Sequence, residues 1–217
     1  MNHKLIKNSP AAEPSSSLVL AHGAGAPMDS EFMNAMSELL CQRGCEVIRF
    51  EFPYMAERRV SGGRRPPNPT DVLLKTWREL VAELRQALPD GRTLIIGGKS
   101  MGGRMASMVA DELGAEGLVC LGYPFHPAGK PERLRIDHLR NLTTPALFIQ
   151  GTRDPLGNFE EVSNYPLAEA IQVHWLPDGD HDFKPRVKSG YTQMQHWTQA
   201  ADLILNFIQS IAKKRTA

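Results

Sequence analysis

Short, nearly unbroken apolar runs alternate along this chain with longer segments in which apolar residues recur every three or four positions. The runs at 18–21, 47–50, 93–96, 118–121, 146–149 and 171–176 are mostly continuous, the pattern of strands covered on both faces. Between them, Phe32, Met36, Leu39 and Leu40 share one helical face, as do Leu73, Trp77, Leu80, Val81, Leu84 and Leu88. Met101, Met105, Met108 and Val109 form a third stripe, and Trp197, Ala201, Ile204, Ile208 and Ile211 a last one; all are read as core packing. Strand followed by helix, repeated, predicts the α/β class: a mostly parallel, doubly wound sheet flanked by helices. Sites in such sheets lie beyond the carboxyl ends of the strands. Two segments break the rhythm, 57–68 with its four arginines, and 123–141; both read as surface excursions.

Composition narrows the function classes. A length of 217 residues suits one domain spanning 1–217, with 1–16 expected to be a flexible N-terminal segment. Lys and Arg (25) nearly balance Asp and Glu (24), and 41% of the residues are apolar, which excludes a disordered chain and a strongly basic nucleic-acid binder. Neither a signal-peptide core nor a membrane-length apolar run is present, so no membrane partner is expected. Cys41, Cys45 and Cys120 are an odd set without a CxxC and read as thiols, so the expected location is the cytoplasm. The seven histidines lack ligand spacing, and no metal or other cofactor is expected.

The stretch IIGGKSMGGR, 95–104, carries the chemistry. Its Gly-Lys-Ser ending mimics a phosphate-binding loop, but that loop needs a glycine five positions before Gly98, where Thr93 stands inside a strand. The alternative, Gly-x-Ser-x-Gly, fits Gly98, Ser100 and Gly102 at a strand-to-helix junction, the setting of a nucleophile elbow. A serine hydroxyl needs a base, usually a histidine steadied by a carboxylate. Asp154, in GTRDP after one strand, and His181, in GDHDF after the next, follow Ser100 in the order Ser, Asp, His. Asp178, Asp180 and Asp182 compete for the acid's place, and His126 and His174 for the base's. The first strand exits into His22-Gly23-Ala24-Gly25, a glycine-rich loop suited to an oxyanion hole built from the backbone N–H groups of Ala24 and Met101, with Gly23 beside the substrate.

HGAG, GKSMGG, GTRDP and GDHDF, in that order, resemble the α/β-hydrolase superfamily, and more closely its small, capless, dienelactone-hydrolase-like branch, over residues 17–212. The resemblance implies a hydrolase without cap domain or cofactor, trimmed of the superfamily's first antiparallel hairpin. Dienelactone hydrolase carries a cysteine nucleophile where this chain has Ser100, so its lactone chemistry does not transfer.

Tyr123, Phe125 and His126, following a central strand, are expected to line the substrate pocket. His22 is expected to brace its loop, Lys99 to be solvated or ion-paired, and Arg58, Arg59, Arg64 and Arg65 to lie on a flexible flap near the site mouth. The expected substrate is a small ester or thioester cleaved through an acyl-enzyme; the alternative is a catalytically silent scaffold of the same fold. Oligomeric state is not set by the sequence.

Overall fold

The computed structural model describes residues 3–216, with side chains as far as Lys213. Seven strands form one sheet: β1 (Leu5–Asn8), β2 (Ser16–Ala21), β3 (Glu46–Phe50), β4 (Thr93–Lys99), β5 (Gly117–Leu121), β6 (Ala146–Gly151) and β7 (Ile171–Leu176), in the spatial order β1-β3-β2-β4-β5-β6-β7. All neighbours pair in parallel except β1, which runs antiparallel to β3.

The helices are α1 (Glu31–Cys41), α2 (Pro53–Ser61), α3 (Thr70–Ala87), α4 (Met101–Ser107), α5 (Phe159–Val162) and α6 (Gln193–Thr216). Successive strand residues point to opposite faces and feed two separate cores. Val19, Ile96, Leu118, Cys120 and Phe148 pack with α3 and α4, whereas Leu18, Leu20, Ile95, Val119 and Ile149 pack with α1 and α6. Because both faces of the inner strands are covered, those strands have no polar face, which is why they read as nearly unbroken apolar runs. The order in which strands are added to the sheet reverses between β2 and β4, and the crevice at that switch point is where such sheets hold ligands.

Two expectations are corrected. The N-terminal segment is not a loose tail: Leu5–Asn8 extends the sheet, Asn8 accepts from Arg49 (2.8 Å), and Ser9 donates to Glu46 (3.1 Å). One antiparallel edge strand is therefore present where the resemblance implied that the hairpin was missing. The arginine-rich segment is also more ordered than a flap. Pro53, preset for the first helical turn, opens α2, and Tyr54 and Met55 are buried beneath it. Arg59 clamps the carboxylates of Glu51 and Asp29, and Arg65 pairs with Glu57 (2.9 Å).

Among the described residues no helix is long and apolar enough to cross a membrane. Cys41, Cys45 and Cys120 are unpaired.

Candidate active site

Ser100 stands between β4 and α4 with φ 52° and ψ −118°, a left-handed conformation that costs a non-glycine residue roughly 1–3 kcal/mol. Close packing holds it there. A Cβ on Gly98 would come within 2.5 Å of the Ala21 carbonyl oxygen, and one on Gly102 within 2.6 Å of the His22 carbonyl oxygen. Glycine at both positions lets α4 sit directly on the end of β2, and the turn then projects the Ser100 side chain out of the sheet edge.

The three strand exits converge on that hydroxyl. His181 Nε2 lies 2.9 Å from Ser100 Oγ, and His181 Nδ1 lies 2.8 Å from Asp154 Oδ2. A carboxylate only accepts, so the imidazole proton sits on Nδ1 and Nε2 is left facing the serine as an acceptor. The approach of the β6 and β7 exits depends on Gly151, whose missing side chain leaves room for the carbonyls of Gly179 and Asp180. Asp154 is fully buried, and its Oδ1 accepts from the Leu156 backbone N–H (2.8 Å).

Rival residues are occupied elsewhere. Asp178 binds Arg186 and Arg153, Asp180 caps the N–H groups of Asp182 and Lys184, and Asp182 pairs with Lys99 (3.1 Å). His126 pairs with Glu161 (3.2 Å), and His174 is exposed on the edge strand β7.

One participant that the sequence reading passed over is Gln150, the last polar residue before Gly151 in β6. Its fully buried amide donates to Asp154 Oδ2 (2.9 Å) and to the carbonyls of Gly157 (3.1 Å) and Tyr123 (3.2 Å), while its Oε1 accepts from the Tyr123 N–H (2.8 Å). A lone amide ending the apolar run ALFI was the signal available.

The 22–25 loop is fastened from beneath. The Phe52 N–H donates to His22 Nε2 (3.1 Å), so His22 carries its proton on Nδ1 and donates to the Gly23 carbonyl (2.7 Å). Burial keeps this imidazole below its ordinary pKa and thus neutral. Tyr54, also unforeseen, donates to the Ala24 carbonyl (3.0 Å). Ala24 is exposed at the crevice, and Met101 opens α4, where the first N–H groups have no intrahelical acceptor. Lys99 is buried rather than solvated. It contacts Asp182 and lies 5.5 Å from the Phe32 ring centre, and desolvation lowers its pKa despite the carboxylate.

Two cavities, of about 410 and 270 Å³, meet at Ser100 and Ala24. Gly23 and Phe32 line the smaller; Met101, Arg104, Pro124, Pro127 and Arg135 line the larger. Tyr123, Phe125 and His126 do not line either one, contrary to expectation. Gly122 turns the chain through φ 63°, and the aromatic side chains drop into the core, with Tyr123 stacked on Phe148 at 5.0 Å. Of this stretch, Pro124, Pro127 and Ala128 line the cavity instead.

A sequence profile described as an alpha/beta hydrolase domain matches residues 14–209. The chain belongs to the alpha/beta hydrolase family. Solved structures similar to this alpha/beta hydrolase include a serine hydrolase homologue from Coxiella burnetii (TM-score 0.71, 15% identity, covering 93% of this chain and 89% of that one). A dienelactone hydrolase from Anabaena variabilis aligns with TM-score 0.68 and 20% identity over 93% of this chain and 91% of its own. A serine hydrolase without lid from Xanthomonas campestris gives 0.63 and 20%, over 90% and 87%. These likenesses share the alpha/beta hydrolase fold.

Proposed function

We propose that this alpha/beta hydrolase cleaves small carboxylic esters or thioesters through an acyl-enzyme. The observation that carries the reading is the unbroken line from Ser100 Oγ to His181 (2.9 Å) and from His181 to Asp154 (2.8 Å), ending on a strained serine beside two cavities. In this reading Ser100 Oγ attacks the carbonyl carbon as His181 Nε2 takes its proton. The imidazolium is stabilised by Asp154, which holds the tautomer without itself becoming protonated. Negative charge on the carbonyl oxygen is met by the N–H groups of Ala24 and Met101. Collapse passes the proton from Nε2 to the leaving alcohol or thiol and leaves an ester on Ser100. Water, deprotonated by the same imidazole, then releases the acid and restores the hydroxyl.

The modest cavities and the capless fold favour short acyl and alcohol groups over long lipid chains. Three unpaired thiols fit a reducing compartment, and the cytoplasm is the location proposed.

A fluorophosphonate probe tests the reading, because it bonds only to an activated serine. Wild-type protein is expected to be labelled, Ser100→Ala to stay unlabelled, and short-chain aryl esters to be turned over. Well-folded wild type that resists the probe would overturn the hydrolase reading in favour of a non-catalytic scaffold.

A further inference from the structure

Arg104 and Arg135 line the larger cavity beside Ser100, together with Asn68, Thr70 and otherwise apolar groups; no carboxylate lines it. Both guanidiniums are half-buried, and among the described residues neither forms a hydrogen bond or an ion pair. Arg104 Nε is fully buried with no acceptor. Burial lowers the pKa of Arg135, and repulsion from Arg104 lowers it further; both residues line a cavity with no carboxylate among its lining residues. By contrast, Arg49, Arg59, Arg78, Arg92, Arg153 and Arg186 all have hydrogen-bonding partners.

Leaving a buried charged donor unmatched is costly, and two like charges add to the cost. A planar guanidinium fork matches a carboxylate, which would relieve both penalties at once. The geometry points to an anion subsite: the larger cavity receives a carboxylate carried by the substrate, gripped by Arg104 and Arg135 while the scissile carbonyl lies at Ser100.

Arg104 is one helical turn beyond Ser100, its N–H donating to the Ser100 carbonyl (3.0 Å), so the two side chains start roughly 5–6 Å apart. Ser100, Arg104 and Arg135 line one cavity together with Met101 and Met105, so the substrates assigned are half-esters of short dicarboxylic acids, whose methylenes lie along those two side chains. This assignment rests on the serine-hydrolase reading for its chemistry, but the anion site itself does not.

The test compares the mono-4-nitrophenyl ester of glutaric acid with its neutral methyl ester, both followed by 4-nitrophenolate release after subtracting spontaneous hydrolysis. Wild type is expected to favour the anionic ester in kcat/KM through a lower KM. Losing a charge-assisted hydrogen bond shifts binding by about tenfold to a hundredfold, so the anionic-to-neutral ratio should fall by that factor in Arg104→Gln and Arg135→Gln and survive in part in Arg104→Lys. A ratio within twofold of wild type in both Gln variants, with Ser100 still labelled by fluorophosphonate, overturns the subsite and leaves the hydrolase reading standing. Calorimetry with glutarate on Ser100→Ala, and on that variant with Arg135→Gln added, separates the opposite case. Arginine-dependent glutarate binding in a protein that resists fluorophosphonate would keep the subsite and remove the hydrolase. Competition by inorganic phosphate without competition by glutarate would overturn the assignment to a carboxylate.

Discussion

The row of groups from Gln150 to Ser100 and the arginine pair across the larger cavity lie side by side, yet they treat their polar atoms in opposite ways. In the row, Asp154 accepts from His181, Gln150 and Leu156, and the Gln150 amide is engaged at both ends. Across the cavity, two guanidiniums have no acceptor among the described residues. The buried row is complete by itself and keeps one geometry; the arginine pair lacks a partner that only a ligand could supply. In the proposed reaction, the contrast separates groups placed for bond-breaking from groups placed for choice of substrate.

The largest expected effect breaks the first half of the contrast. Ser100→Ala or His181→Ala should lower kcat by about four orders of magnitude or more, measured on a short aryl ester, because the two act as a unit.

Gln150→Leu comes next, since it strips one donor from Asp154 and strands the Tyr123 and Gly157 backbone groups in the core. Unsatisfied buried polar groups cost about 1–3 kcal/mol each, so a loss of about 3 kcal/mol is expected. In a chain of this size that corresponds to a fall in Tm of roughly 6–12 °C by calorimetry. A looser Asp154 should also reduce kcat by about tenfold to a hundredfold.

Arg59→Ala sharpens the contrast from the other side. It leaves the buried Glu51 carboxylate without its guanidinium and should cost about 1–3 kcal/mol in urea melts, with the ratio of anionic to neutral ester turnover unchanged. Removing an unpaired charge, as in Arg135→Gln, should cost stability little or raise it slightly.

The smallest effect is a titration. His138 is held down to about 4, first by burial and then by Arg104. Below its ordinary 6.5 the unfolded chain takes up a proton that the folded chain refuses until about 4, so stability falls as pH drops through that window. Arg104→Gln should raise the His138 pKa seen by NMR, and bound glutarate should raise it as well. An unmoved titration in both cases would place Arg104 farther from His138 and from any anion than described.

Much of the scaffold was legible because its causes are local. Strands buried on both faces need apolar residues at every position, and Ser100, Asp154 and His181 lie on strand exits in chain order, so all six parallel strands and these three positions could be read directly. β1 could not, since four residues at a sheet edge, none of them fully buried, carry no periodic signal. α2 was hidden by glycines and prolines just past its end, although Tyr54 and Met55 anchor it. The facing of Tyr123, Phe125 and His126 depends on the left-handed turn at Gly122 and on space beside Phe148, which no neighbouring residue announces. Arg104 and Arg135 come from a helix and a distant excursion, and their lack of partners is a property of the folded chain alone.

The amide at Gln150 also ties together parts with different duties. It joins the backbone at Tyr123, beside the cavity wall, to the carboxylate of Asp154, while across the cavity Asn68 accepts from Tyr54, whose hydroxyl reaches the Ala24 carbonyl. Either wall, if remodelled, would pull on the machinery attached to it. The guanidinium ends of Arg104 and Arg135 have no such tether, which makes them the places where a descendant of this chain could trade one substrate for another without retuning its reaction centre.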